Sequence, residues 1–493
     1  MSNTRFRIIP AIDQSPALVQ LAQHAGGKAL LLAVFAFGLF LHGSRWWPEL
    51  VVILAAMSFW PQFRRPLLTA ATLYWLFSQH TNLKWSLLKK VFDTQGLATT
   101  TSLPAYGLSL VVATILFCAM YYYLVRRSQG TWLYRRPVAT LLLGYIVCLT
   151  FASYAPLPAT QQAWLWGFLI MLGHYFWYLA YSLHDRNAAS DTKLPGTNFI
   201  YQFGHYQPFW GGSNTPFPKG ATYLRKIEAK NAEQLAISQL KGIKLLYWAF
   251  ILSLVLGILK MVVYGRPFYN LALPFHLVIP SVNDALAHTR AGEPYHWYIN
   301  WAVMLIDFTK AMLTLSIWGH IIIATVRMAG FKALRNTWSP LQSKSIAEFW
   351  NRYYYYFKEL LVEFFFYPTF LKYFKTRPRL RLFMATMAAA GLGNMLYHFI
   401  RDIHVIMGLG IWGALKAFHV YIFYSLLLGT AIGLSQIRNQ RRKQSTHWFR
   451  RNITAPATVL GFYAICHVFG APYSGYGLDV YFQFLLNMIN IGV

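Results

Sequence analysis

Stretches of about twenty consecutive apolar residues recur along this chain, and each is long enough to cross a bilayer as a helix. The clearest cover residues 103–125, 138–154, 163–183, 243–264, 299–326, 382–399 and 405–434. The charge content agrees, because only 12% of residues are charged, against roughly twice that in a soluble chain. A transmembrane β-barrel would instead show short alternating segments. The sequence predicts an all-α, polytopic integral membrane protein with about 11–12 transmembrane helices.

The net charge is +29, from 44 Lys+Arg against 15 Asp+Glu. Two causes fit: the positive-inside bias with attraction to anionic membrane lipid, and a docking surface for an acidic partner such as an acyl carrier protein or coenzyme A phosphates. Nucleic acid is not expected as a partner, since the basic residues lie in short loops between spans. Arg126, Arg127, Arg135 and Arg136 form one cluster, and residues 186–244 contain a second. Arg327, Lys332, Arg335 and Lys344 form a third, and residues 438–451 a fourth. Placing all four in the cytoplasm gives alternating spans with the N-terminus inside. The loop 265–297, with Asp284 and Glu293 against Arg266 and Arg290, then falls outside. Residues 1–28 lack a cleavable signal pattern, so the first span is expected to direct insertion. Cys118, Cys148 and Cys466 lie in apolar runs without metal or disulfide spacing, and no metal site is expected.

One segment conflicts with this topology. Residues 353–371 are apolar enough to cross, yet Lys372, Lys375, Arg377, Arg379 and Arg381 follow directly. A re-entrant or interfacial element keeps those charges inside. Irregular backbone at that depth must be sheltered by protein or line a cavity, so this neighbourhood is a candidate site. Its tyrosine run, Tyr353–Tyr356, reads as an interfacial aromatic belt for Tyr353, Tyr355 and Tyr356. Lys84, Lys89 and Lys90 also fit the topology poorly and suggest a second interfacial helix. No internal repeat supports a transporter made of duplicated halves.

Polar groups inside spans are costly and need a reason. In "MAAAGLGNMLYHFIRD" (387–402), Asn394, His398 and Asp402 recur every four residues and share one helical face. Neutral imidazole can act as a general base, or it can be satisfied by an interhelical hydrogen bond. Gly391 and Gly393 allow a neighbouring helix to approach. In "MLIDFTKAMLTLSIWGH", Asp307 and Lys310 lie one turn apart and can pair, with His320 further along. In "WGALKAFHVYIF", Lys416 and His419 are one turn apart, and Lys416 can snorkel or face a cavity. The loop "FGHYQPFWGGSNTPFPKG" (203–220) reads as a connection or as the lining of a substrate entrance. The charged stretch after it, "TYLRKIEAKNAEQLAISQLKG", suggests an interfacial helix. No phosphate loop, nucleophile elbow, zinc pattern or dinucleotide fingerprint occurs in a credible context. These residues alone leave membrane-embedded transfer chemistry and proton-coupled transport open.

The order of segments resembles the membrane-bound O-acyltransferase (MBOAT) superfamily, particularly alginate O-acetylases and teichoic-acid D-alanyl transferases. The resemblance covers residues 199–435. It runs through "QPFWGGSNTPFPKG", "IDFTKAM", "RMAGFKALRNTWSPLQSKSIAEFWNR", "GLGNMLYHF" and "WGALKAFH". It implies a helical bundle around a central tunnel, with His398 as the catalytic general base. The second site position of the family falls on Tyr354, a possible hydrogen-bond donor to a developing oxyanion. Lys416 stands at the histidine of the Trp-Gly-x-x-His motif, and Phe399 at the glycine after the catalytic histidine. Asn394, Asp307, Trp350, Asn351, Arg352, Lys416 and His419 are the expected substrate-binding residues. The implied reaction moves an acyl group from a cytoplasmic acyl-CoA or acyl-carrier-protein thioester to a hydroxyl of an extracytoplasmic glycan, lipid or secreted molecule. No permanently bound cofactor is implied, and an accessory periplasmic or extracellular transferase is a possible partner. The expected location is a bacterial plasma (inner) membrane. The expected divisions are N-terminal transmembrane helices over 1–198, a catalytic core over 199–435 and a C-terminal basic loop with the last helices over 436–493. The substitutions at 354 and 416 also suit a non-catalytic protein that binds or transports lipid or acyl chains.

Overall fold

A computed structural model describes residues 9–78, 85–97, 103–185, 198–206, 209–211, 215–268, 270–441, 447–471 and 475–491. Lys84, residues 186–197, residues 207–208 and 212–214 of the Pro/Gly-rich loop, and 442–446 of the last basic cluster lie outside the described residues. The described residues are helical and contain no strand beyond two isolated bridges, Glu228↔Phe331 and Phe268↔Leu271. Prolines in the apolar runs fall in the first helical turn, as in Trp47–Phe59, Pro137–Tyr154 and Ala455–Val468. The missing N–H costs nothing at that position.

Among the described residues, five helices are long and apolar enough to cross a membrane: Pro104–Arg127, Pro137–Tyr154, Ala232–Tyr264, Trp297–Met328 and His419–Gln440. Pro16–Gln23 and Ala25–Leu41, bent by 100°, make a sixth if counted as one span. The run 163–183 forms the helix Ala159–Asp185, enclosed on every side from Leu169 to Leu183.

The sequence runs require two corrections. Run 405–434 is two helices, Ile403–Ala417 and His419–Arg441, and the first contains a kink at Gly410 (φ 66°). Run 382–399 is interrupted by a π-helical turn, Met387–Gly393, whose small residues leave the wider turn uncrowded.

The segment after the tyrosine run is helical from Tyr355 to Leu361, through a π turn at Val362–Phe366, and on to Lys372. It carries Lys358, Glu359 and Glu363 and is not one of the five apolar spans. Around Lys89 and Lys90, the helix Trp85–Thr94 buries Leu88, Val91 and Phe92 and exposes both lysines, an amphipathic arrangement. The charged stretch after residue 220 is not one interfacial helix. It divides into Ala221–Ile227 and the first turns of Ala232–Tyr264.

Packing divides the chain into two units. One comprises Met1–Tyr247, Ile321–Leu334 and Ile403–Ile411; the other comprises Trp248–His320, Arg335–Asp402 and Trp412–Val493. In the first, buried Arg64 donates to the Met57 and Ala229 carbonyls (3.2 and 2.9 Å). Gly330 (φ 94°) lies so close to that guanidinium that an added Cβ would come within 2.7 Å of it. In the second, Phe308, Phe349, Tyr463, Phe469 and Phe484 form an aromatic core. The Tyr463 hydroxyl donates to the Ile346 carbonyl (2.7 Å), tying two helices together.

Candidate functional site

The helix Asn394–Arg401 begins where the π turn ends, and both pack against His419–Arg441. Glycine makes the crossing close: a Cβ on Gly429 would sit 3.0 Å from the Gly391 nitrogen. Gly391 therefore has the role expected of it. Gly393 instead abuts the Phe365 ring, which a Cβ would approach to 2.6 Å.

The expected face of Asn394, His398 and Asp402 is present. Asp402 ends the helix, and Arg401 clamps its carboxylate, with Nε at 3.0 and 3.2 Å from the two oxygens and the terminal nitrogen at 2.7 Å. His398 Nδ1 lies 3.8 Å from Asp402 Oδ2, beyond hydrogen-bond length. Nδ1 is buried and finds no hydrogen-bond partner among the described residues, although the side chain remains 14% exposed. Tyr421 lies against the imidazole with ring centroids 4.5 Å apart, and its hydroxyl donates to Asn394 Oδ1 (3.1 Å). Asn394 Nδ2 and Ser425 Oγ are also buried without a partner among the described residues. Three unsatisfied polar atoms on two packed helices are costly unless they meet something else.

The tyrosine run divides by role. Tyr356 is fully buried, so the expected aromatic belt is corrected there. Tyr353 packs on Phe349 (5.0 Å), and Lys358 lies over the Tyr355 ring. Tyr354 (φ −138°, ψ 74°) is the break between Ile346–Tyr353 and Tyr355–Leu361. Residues 336–338 run beside that break and satisfy its backbone. The Asn336 carbonyl accepts from Tyr355 N–H (2.9 Å), Thr337 Oγ1 donates to the Tyr353 carbonyl (2.8 Å), and Trp338 N–H donates to the Arg352 carbonyl (2.8 Å). The Tyr354 ring meets Phe357 (5.2 Å), and Phe357 meets His398 edge-on (6.3 Å). Phe357 therefore links Tyr354 to the histidine.

The other expected site residues are distributed more widely. Trp350 also reaches Phe357 (6.1 Å). Arg352 is held by Glu348 (2.9 Å) and stacks on Trp338, and Asn351 is exposed. Lys416 is exposed, and its carbonyl takes His419 Nδ1 at 2.6 Å. Asp307 pairs with Lys310 as expected (2.6 Å), and its other oxygen takes His467 Nε2 at 3.1 Å. His320 Nδ1 contacts the Ser316 carbonyl at 2.5 Å within its own helix.

Arg401, Tyr421 and His467 were missed by the sequence reading. His467 could have been found as a titratable residue inside the apolar run 455–468. Arg401 and Tyr421 carried no comparable signal. Among the described residues, no group of three or more His, Cys, Asp or Glu could hold a metal ion. No protein-family model matches the chain, and no curated protein matches it.

Proposed function

We propose that the protein is a membrane-embedded O-acyltransferase with His398 as its general base. The carrying observation is the buried Nδ1 of His398, without a hydrogen bond among the described residues, on the same helical face as Asn394, whose Nδ2 also lacks one. Asp402, held by Arg401, supplies negative charge near the ring, and Tyr421 packs on it. In the proposed reaction the imidazole takes the proton of an acceptor hydroxyl. The oxygen bonds to the acyl carbonyl carbon, the carbon–sulfur bond breaks, and the leaving thiolate receives the proton from imidazolium. Asn394 Nδ2 is available to donate to the carbonyl oxygen as its charge grows.

The order of motifs resembling the MBOAT superfamily and the glycine-mediated helix crossing support this reading. In it, the shorter apolar helices complete a bundle of about eleven or twelve spans around a tunnel. The donor is a cytoplasmic acyl-CoA or acyl-carrier-protein thioester, and the acceptor is extracytoplasmic. The membrane is a bacterial inner membrane, with the N-terminus and basic loops in the cytoplasm. The helix Tyr355–Lys372 region and Trp85–Thr94 lie re-entrant or at the interface.

The test is thiol release from acyl-CoA thioesters by the purified chain, measured for wild type and His398→Ala. Turnover that disappears in a folded variant supports the proposal. Equal turnover in both overturns it, and lipid binding without turnover in wild type favours the non-catalytic role.

A further inference from the structure

We infer that the first unit contains an oxyanion pocket that takes a phosphate group, built around Arg225, Arg65 and His205. The cavity measures about 40 Å³ and is lined by Arg65, Gln202, His205, Thr222, Arg225 and Glu228, with Phe331 on one wall. About 10–15 Å³ accommodates one water, so the space suits a single tetrahedral anion or a few waters.

Its unsatisfied groups favour the anion. His205 is 5% exposed, and neither ring nitrogen has a hydrogen-bond partner among the described residues. Gln202 is 2% exposed with an unpartnered Oε1. Arg225 has a buried Nε and one buried terminal nitrogen without a hydrogen bond among the described residues. A guanidinium fork with two free N–H-bearing nitrogens matches two oxygens of a phosphate. Burial pushes the His205 imidazole down to about 3, so it enters as a neutral ring with one N–H to donate.

The two acids nearby each already face a cation or a donor. Glu228 lies 3.7 Å from Arg64 and 3.8 Å from Arg65, one oxygen to each. Asp185 accepts from the Thr222 N–H (2.9 Å). The wall is rigid. Ala229 N–H donates to the Gly330 carbonyl (2.8 Å) and Lys332 N–H to the Ile227 carbonyl (2.7 Å), with Arg64 bonded behind them. The pocket is thus pre-formed and carries one more positive than negative side chain in its lining. This inference stands whether or not the acyl-transfer reading does.

The phosphate can come from solution or from a lipid headgroup, and two arms separate these sources. The full chain is placed in phosphatidylcholine nanodiscs and its thermal unfolding followed with rising inorganic phosphate, against chloride at matched ionic strength. A second set of nanodiscs contains phosphatidic acid without added phosphate. Saturable stabilisation in the first arm identifies a soluble source, and stabilisation in the second alone identifies a lipid. In either case Arg225→Gln should weaken the response by about tenfold. If Arg225→Gln does not fold, Arg225→Lys, which keeps the charge but loses the fork, is read in the same way. An unchanged response in the variant, the same response to chloride, or no response in either arm overturns the inference.

Discussion

His467 and His398 each sit near an aspartate that also holds a cation, and both clusters lie in the second unit. Asp307 divides its carboxylate evenly, one oxygen on Lys310 (2.6 Å) and the other on His467 (3.1 Å). Asp402 gives both oxygens to Arg401, and His398 is left at 3.8 Å, its Nδ1 without a hydrogen bond among the described residues. Each cluster combines a histidine, an aspartate and a cation, but the cation and its spacing differ. Arg401 is adjacent in sequence to Asp402 and chelates it, whereas Lys310 approaches from one turn away and uses one oxygen. One histidine is therefore consumed by structure, and the other is kept with a free nitrogen.

The largest expected effect breaks this comparison directly. His398→Ala should reduce acyl transfer by about 100-fold or more while leaving thermal stability close to wild type. His467→Ala should do the reverse, leaving the rate near wild type and lowering stability by about 1–3 kcal/mol, because it removes a hydrogen bond to a charged group. Parallel turnover and unfolding measurements check both. If the two variants behave alike, the contrast between the clusters has no functional meaning.

The aspartates come next. Asp307→Asn weakens the bonds to Lys310 and His467 together, and its cost should appear in unfolding. Asp402→Asn leaves Arg401 without its ion partner, so stability falls by an amount on the order of 2 kcal/mol. It also removes the negative charge beside His398 and should lower the rate by about tenfold. The diagnostic readout is rate against stability. A loss of stability with the rate unchanged would mean that Asp402 acts on Arg401 alone.

How much of this was legible in the sequence follows from the range of each interaction. The helices were legible because a run of apolar residues is a local signal. So was the face of Asn394, His398 and Asp402, and the pairing of Asp307 with Lys310, since both depend on helical periodicity. The split of run 405–434 was not, because Gly410 and Phe418 look like ordinary members of an apolar stretch. Tyr421 and His467 belong to the site and its counterpart only through contacts 23 and 160 residues apart in sequence, which periodicity cannot report. The buried Tyr356 shows the same limit. Tyr353, Tyr355 and Tyr356 resemble a belt until Asn336 and Thr337 are seen to hydrogen-bond to the backbone of all three.

Tyr421→Phe tests the next smaller effect. It keeps the ring on His398 and loses only the bond to Asn394 Oδ1 (3.1 Å). A neutral hydrogen bond is worth about 1 kcal/mol, so the rate should fall by about fivefold, with Asn394 left less well fixed. Tyr421→Leu, which removes the ring as well, should cost more. Equal losses in the two variants would show that the hydroxyl positions the site and the ring does not.

The smallest effect is expected at Tyr354, and it decides how far the site extends. Resemblance to the MBOAT superfamily places a second polar group there, which would make Tyr354→Phe costly through loss of an oxyanion donor. The geometry favours a packing role, since the contact route from Tyr354 to His398 seen in the structure runs from the Tyr354 ring to Phe357 and from Phe357 to the imidazole. Tyr354→Phe preserves that route and should leave the rate within about threefold of wild type, whereas Phe357→Ala opens the wall and should cost at least about 3 kcal/mol of stability. A rate loss of about 100-fold in Tyr354→Phe, with stability unchanged, would reverse the assignment and make the hydroxyl part of the reaction site.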